Sequence, residues 1–216
     1  MTKRDLIQRL LDPGVIAIIR ADSDKNVPEA VDALVRGGVN AVEMTLTTPN
    51  ALRLISQLSK RFAGTAEIGV GTVLEVGMAR AAIDAGAPFV VTPIINPEVI
   101  RYCNARDIPI IAGTCTPTEA YNAHRAGADF IKIFPIGLLG PAYIKAMLAP
   151  LPMLNIIPTA GVTLENAGDF VAAGSVAVGA GASLISPDDL AKANWENVST
   201  RATAFVKAVR EARAAT

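Results

Sequence analysis

The sequence predicts an α/β fold, a single-domain (β/α)8 barrel of the TIM type with a C-terminal helix, and three observations lead there. Short β-branched runs alternate along the chain with Ala-rich, helix-period segments, and Gly, Pro or Asn separates them. The eight candidate strands have centres roughly 20 to 26 residues apart, the length of one strand–helix unit with short loops. A glycine-turn phrase recurs before several of the strands. Eight such units within 216 residues describe one compact barrel domain spanning 1–216. An open doubly wound sheet has the same alternation and is the alternative.

The strands are read at Val15–Arg20, Ala41–Leu46, Glu67–Gly71, Phe89–Pro93, Pro109–Gly113, Phe130–Pro135, Asn155–Thr159 and Val176–Gly179. Helix starts between them are signalled by Thr48-Pro49, Asn96-Pro97, Thr116-Pro117 and Thr163 ahead of Glu165-Asn166. The recurring phrase is Gly37-Gly38-Val39-Asn40-Ala41-Val42-Glu43, then Ala85-Gly86-Ala87-Pro88-Phe89, Ala126-Gly127-Ala128-Asp129-Phe130-Ile131-Lys132 and Ala173-Gly174-Ser175-Val176. Its glycine suits a helix C-cap, where positive φ is needed. The phrase also sets a register, because Glu43 and Lys132 stand at one offset from their glycines in the second and sixth strands. After Pro187 the chain, including Trp195 and the helix-period stretch from Val198 to Ala212, reads as a C-terminal helix that closes the barrel or meets a neighbour.

Composition excludes several functions. Hydrophobic residues make up 51% of the chain, enough for a large core and too many for disorder. Twenty basic and 20 acidic residues cancel, which argues against a nucleic-acid partner. No apolar run approaches the ~20 residues of a membrane span, and the charged start Met1-Thr2-Lys3-Arg4-Asp5 does not read as a signal peptide. Cys103 and Cys115 cannot form a zinc-ligand set and read as free thiols in a reducing cytoplasm. The single histidine, His124, excludes HExxH and multi-histidine metal sites and reads as a surface or packing residue on a helix.

Charged residues inside the strands carry the chemistry. Lys132 interrupts Phe-Ile-Lys-Ile-Phe-Pro, in a strand expected to be covered on both faces. Desolvation disfavours an ammonium, which turns a buried lysine into a nucleophile towards carbonyls. A structural ion pair, or a lysine snorkelling from the barrel end, is the alternative. Glu43, at the same offset, could supply an acid/base group beside that amine. Arg20 ends the first strand at the same mouth, where its planar guanidinium suits a carboxylate or phosphate. Two Gly-rich turns, Thr159-Ala160-Gly161-Val162-Thr163 and Gly179-Ala180-Gly181-Ala182-Ser183, follow the seventh and eighth strands, where barrels often bind phosphate. Gly69-Val70-Gly71-Thr72 allows a similarly close approach, with the Thr72 hydroxyl available to a ligand.

Together these residues resemble a known family, the 2-keto-3-deoxy-6-phosphogluconate and 4-hydroxy-2-oxoglutarate aldolases, which are class I (Schiff-base) aldolases on a (β/α)8 barrel. The resemblance runs from Val15 to about Lys207. It is carried by Ile-Ile-Arg to Arg20, Val-Glu-Met-Thr at Glu43, Gly-Val-Gly-Thr-Val to Val73 and Val-Thr-Pro to Pro93. Thr-Pro-Thr-Glu to Glu119, Phe-Ile-Lys-Ile-Phe-Pro at Lys132 and Pro-Thr-Ala-Gly-Val to Val162 complete it. The resemblance implies Lys132 as the Schiff-base lysine and Glu43 as general acid/base. It implies Arg20, Thr72 and Pro93 at the pyruvate end, Phe134 beside the imine, Gly161 and the turn around Gly181 toward a distal phosphate, and Thr47, Thr159 and Ser183 among the substrate-binding residues. No metal or other cofactor is implied, and the partners implied are pyruvate and a 2-oxo sugar acid. The implied setting is a cytoplasmic homotrimer in carbohydrate metabolism of the Entner–Doudoroff kind.

Several positions depart from the family pattern. Ala160 stands where Gly is common, Ala182 precedes Ser183 where a serine is common, Thr47 replaces an arginine found in some members, and Ala112-Gly113 replaces Pro-Gly. Three readings follow. The first is cleavage of a 2-keto-3-deoxy sugar acid or of 4-hydroxy-2-oxoglutarate. The second is a barrel isomerase or epimerase with Glu43 as base and Lys132 as an electrostatic clamp. The third is a non-catalytic sugar-acid binder.

Overall fold

The computed structural model describes residues 2–215; Met1 and Thr216, the ends of the expected domain, lie outside the described residues. Strands β1 (Val15–Ile19), β2 (Ala41–Thr45), β3 (Glu67–Gly71), β4 (Val90–Val91), β5 (Ile110–Thr114), β6 (Phe130–Ile133), β7 (Ile156–Pro158) and β8 (Val178–Ala180) are all parallel and pair in chain order, with β1 joining β8 to β2. The remaining seam, between β7 and β8, is spanned by the Thr159–Gly179 bridge and by the Val176 N–H donating to the Ile156 carbonyl at 3.0 Å. Sequential pairing that returns β8 to β1 makes a nearly closed barrel and overturns the open-sheet alternative.

Helices α1 (Lys3–Leu11), α2 (Val27–Arg36), α3 (Ala51–Arg61), α4 (Val76–Asp84), α5 (Pro97–Asn104), α6 (Pro117–Arg125), α7 (Gly140–Leu148), α8 (Leu164–Ala172), α9 (Pro187–Lys192) and α10 (Trp195–Ala214) are the helices of the described residues. Among them no helix is long and apolar enough to cross a membrane. The recurring glycine phrase does what its sequence indicates. Gly38, Gly86, Gly127 and Gly174 have φ of 88°, 105°, 99° and 106°. The next amide reaches back five residues in each case, as from Val39 to Leu34 and from Ala128 to Ala123, both at 3.0 Å. These Schellman ends of α2, α4, α6 and α8 turn the chain into β2, β4, β6 and β8.

Strand alternation divides the core in two. Val15, Ala17, Ile19, Val42, Met44, Ile131 and Ile133 face the helix ring, whereas Ile16, Ala41, Phe89, Val91, Ile111, Phe130, Ile157 and Ala177 fill the lower bore with Leu10 of α1. Helix α1 closes the N-terminal mouth, anchored by Arg9–Glu67 at 2.8 Å and Lys3–Asp129 at 2.9 Å. Helix α10 packs against α8 and α2. A Cβ at Gly37 would strike Ala202 and the backbone of Ser199, so only glycine allows the approach at the end of α2.

Several boundaries move from the sequence reading. The fourth strand shortens to Val90–Val91 because Thr92 turns its hydroxyl to accept the Gly113 amide and Pro93 has no amide to donate. The fifth strand begins after Pro109 and the sixth ends before the cis Phe134-Pro135 peptide. The first two strands end at Ile19 and Thr45, and the last two become Ile156–Pro158 and Val178–Ala180. Thr48-Pro49 does not start a helix: Asn50, at φ 56°, precedes α3, and Thr48 is turned inward and buried. Asn96, Thr116 and Thr163 are the N-caps expected. His124 lies half-buried in the last turn of α6, and both cysteines are free; burial pushes the Cys103 thiol up to about 12.

The end of the chain is fastened by Asp189 of α9. It accepts from the Ser186 hydroxyl at 2.6 Å and the Ser186 amide at 2.9 Å, and it pairs with Arg201 of α10. Burial disfavours this carboxylate, but the Ser186 hydrogen bonds and the Arg201 guanidinium outweigh it and hold its pKa below the ordinary 3.8. A depressed folded pKa contributes stability that is complete above the unfolded value and lost as pH falls through the folded one. Asp189→Asn is therefore expected to cost about 1–3 kcal/mol at pH 7. Urea unfolding at both pH 7 and pH 3 checks this, and the gap between variant and wild type should shrink at pH 3.

Candidate active site

Glu43 and Lys132 belong to β2 and β6, four strands apart in the ring, so they approach from opposite walls of the barrel. They meet across the bore, Lys132 Nζ to Glu43 Oε2 at 3.5 Å, with 6% and 3% of their surfaces exposed. The two glycine phrases put both residues at one offset in their strands, and the structure brings their side chains together.

The pair meets because its neighbours in the bore are small. Glu43 lies in register with Gly69, and Lys132 with Gly113. A Cβ at Gly71 would overlap the Glu43 carboxylate, one at Gly69 the Phe89 ring, and one at Gly113 the backbone of Pro93. Gly179 likewise leaves room for the Thr159 side chain. Below this layer Phe89 and Phe130 fill the bore; above it a cavity of about 490 Å³ opens at the C-terminal ends of the strands.

Ile18, Arg20, Glu43, Lys132 and Phe134 line that cavity. Residues 159–163, Gly179, residues 181–183, Ile185 and Pro187 complete its lining. The Phe134 ring lies 5.7 Å from Lys132 Nζ, presenting its face to the amine. Of the residues expected at the site, Lys132, Glu43, Arg20, Phe134, Thr159, Gly161, Gly181 and Ser183 line the cavity. Thr47 and Thr72 instead stand behind Arg20, accepting from its Nη1 at 2.8 Å and its Nη2 at 3.4 Å. Pro93 packs over Gly113, the ladder partner of Lys132, and adjoins the cavity without lining it. Ile18 was legible as the residue two before Arg20 on the same face of the strand; nothing in the sequence marked Ile185 or Pro187.

The two turns after β7 and β8 are tied together. The Ser183 hydroxyl donates to the Val162 carbonyl at 2.7 Å, so its proton is committed to the fold. Asn166 Nδ2 donates to the Gly161 carbonyl at 3.0 Å, and Asn166 Oδ1 accepts the Thr163 amide at 2.8 Å in the capping box of α8. In these bonds Gly161 and Val162 serve only as acceptors. Helix α8 thus begins at the cavity wall, where amides and the helix dipole favour an anion.

Backbone strain gathers at the same mouth. Thr72 has φ 63° and Ala160 φ 62°. The left-handed region is rare for a β-branched residue and disfavours alanine by about 1–2 kcal/mol relative to the right-handed one. Thr72 uses its conformation to meet Arg20. The Ala160 carbonyl accepts from Ile136 at 3.1 Å and Gly137 at 2.9 Å, locking the loop after Lys132 onto the turn after β7. Gly161 and Gly137 touch backbone to backbone there: a Cβ at Gly161 would strike Gly137, and one at Gly137 would crowd Gly161 at 3.2 Å.

A family model described as KDPG and KHG aldolase matches residues 6–201. The chain is 37% identical over 199 residues to a 2-dehydro-3-deoxy-6-phosphogalactonate aldolase of Escherichia coli K12, covering 92% of this chain and 95% of that one. It is 34% identical over 185 residues to a 2-dehydro-3-deoxy-phosphogluconate aldolase of Pseudomonas aeruginosa, covering 85% and 84%. It superimposes with a TM-score of 0.81 on a KDPG aldolase from Legionella pneumophila with pyruvate captured as a covalent carbinolamine intermediate, at 26% identity, covering 91% and 96%.

The strain at residue 160 yields a direct test. Ala160→Gly is expected to raise stability by about 0.5–1 kcal/mol, since relief of the left-handed alanine exceeds the added entropy of the unfolded chain. Thermal melting should rise by roughly 1–3 °C; a lower melting temperature would show that the methyl contributes packing that outweighs its strain.

Proposed function

The chain belongs to the KDPG and KHG aldolase family, lyases that cleave 2-keto-3-deoxy sugar acids, and from that premise we propose a Schiff-base mechanism on Lys132 with a 6-phosphorylated substrate. The products are pyruvate and an aldehyde such as glyceraldehyde 3-phosphate. The observation that carries this reading is the buried amine and carboxylate meeting across the bore at 3.5 Å, at the floor of the cavity.

The steps follow from the groups in place. Lys132 Nζ, as the free amine, adds to the C2 ketone, and Glu43 is near enough to receive a proton from it. The carbinolamine loses water to give an iminium. Glu43, acting through a water molecule, then takes the C4 hydroxyl proton. The C3–C4 electron pair moves into the C2–C3 bond as the aldehyde departs, leaving an enamine. Protonation at C3 and hydrolysis release pyruvate and restore the lysine. The iminium accepts the electrons that a metal ion would otherwise polarise, so the reaction needs no metal and no dissociable cofactor.

Binding groups surround that centre. Arg20, held by Thr47 and Thr72, takes the substrate carboxylate in a planar, paired contact. Phe134 covers the imine and Pro93 supports the strand end beside it. The distal phosphate lies against Thr159, the Gly161 turn, Gly181 and the start of α8. Because the Ser183 proton is committed to Val162, backbone amides supply the donors at that end. The enzyme works in the cytoplasm as a homotrimer, in sugar-acid breakdown of the Entner–Doudoroff kind. Leu138, 97% exposed, with Leu139, Ile94 and Leu74 on loops at the C-terminal end, gives an apolar rim suited to contact between subunits.

Borohydride trapping with pyruvate, followed by peptide mass mapping, tests the mechanism. A reduced adduct is expected on Lys132, absent without pyruvate; folded protein that gives no adduct would favour the isomerase or the non-catalytic binder. Steady-state assay of both C4 epimers of the phosphorylated hexonate, their unphosphorylated forms and 4-hydroxy-2-oxoglutarate tests the distal site. At least one phosphorylated epimer is expected to exceed the others in kcat/KM by about tenfold or more. Equal rates without phosphate would remove the distal anion site.

A further inference from the structure

Thr45 was not among the residues expected at the site, yet the hydroxyl bonding behind Arg20 leads to it. It is fully buried, at the end of β2, two residues from Glu43 and two from Thr47. Its Oγ1 donates to the Ile19 carbonyl at 3.0 Å, and it lies 3.0 Å from Thr47 Oγ1 and 3.2 Å from Thr48 Oγ1. A hydroxyl has one hydrogen and two lone pairs. Since the Thr45 hydrogen is spent on Ile19, both neighbouring hydroxyls must donate to Thr45.

That constraint orients the rest. Thr47 gives its only hydrogen to Thr45 and therefore offers lone pairs toward Arg20, whose Nη1 donates to it at 2.8 Å. Thr48 does the same for the other side, accepting the Ala21 amide at 3.2 Å and so fixing the backbone on the far side of Arg20. The guanidinium is thus held through a one-way chain of hydrogen bonds: Arg20 to Thr47, Thr47 to Thr45, Thr45 to the Ile19 carbonyl. Among the described residues Arg20 makes no ion pair with a carboxylate, so its charge stays available to an anion while hydroxyls set its position.

We propose that Thr45 is a positioning residue for substrate binding: its hydroxyl fixes the polarity of Thr47 and so presents Arg20 to the carboxylate of the 2-oxo acid. The proposal rests on Arg20 binding that carboxylate. Valine matches threonine in shape and removes only the hydroxyl, leaving Thr47 free to turn its hydrogen toward the cation.

The test measures KM for the substrate and the pyruvate concentration giving half-maximal borohydride trapping. Both should rise roughly tenfold in Thr45→Val, with kcat within about twofold, and Thr45→Ser should restore both. In an Arg20→Ala background Thr45→Val should change neither value further, because the residue acts through the arginine. Thr47→Val, at a less buried site, should reproduce the rise and serves where Thr45→Val does not fold. An undiminished effect of Thr45→Val without Arg20, no rescue by serine, or unchanged values in both valine variants would overturn the positioning role. If Arg20→Ala alone changes neither value, the carboxylate assignment itself fails, and the role of Thr45 with it.

Discussion

One constraint organises the upper half of this barrel: a lysine and a glutamate from opposite walls must touch on the axis, away from water. Moving both charges out of solvent is expensive, and a buried pair is often no more stabilising than apolar residues of the same shape. The pair is therefore poor evidence of a structural role. Its surroundings serve its position. Gly69, Gly71 and Gly113 give up side chains where Phe89, Glu43 and the Pro93 backbone need room, and Gly179 does so for Thr159. The barrel gives up packing at one level, and there the lysine and the glutamate reach each other.

The same economy separates the two ends of the molecule. Below the pair, phenylalanine and isoleucine side chains fill the bore and α1 closes it, held by ion pairs at Arg9 and Lys3. Above it the backbone accepts strain, as at Thr72 and Ala160, and side chains are spent on orienting one another rather than on filling space. Apolar packing fills the helix-facing layer and the lower bore, whereas the C-terminal mouth holds the cavity.

How much of this was legible in the sequence depends on the length scale of the signal. The four glycine phrases specify local helix ends, so they located Glu43 and Lys132 on equivalent strands before any coordinates. The capping boxes at Thr116 and Thr163 are equally local. Thr48-Pro49 misled because a threonine before proline has the same local signature whether its hydroxyl caps a helix or, as here, turns inward to Thr45 and the Ala21 amide. Ile185 and Pro187 line the cavity from the segment that leads into α9, a helix tied to α10 through Asp189 and Arg201, a contact that no local pattern encodes. The commitment of the Ser183 hydroxyl to Val162 is another property of the assembled turns alone.

The proposed mechanism divides the labour: Lys132 would hold the substrate covalently, and Glu43 would move the proton. Exchange of the pyruvate methyl hydrogens in D2O, followed by proton NMR, separates the two roles without any aldehyde partner, because exchange requires both an enamine and a group to protonate it. The account predicts exchange by the wild-type enzyme, none with Lys132→Met, and exchange slowed about 100-fold or more with Glu43→Gln, which should still form the borohydride adduct. Wild-type exchange by Glu43→Gln would transfer the proton work to another group, and exchange by Lys132→Met would contradict the account at its root.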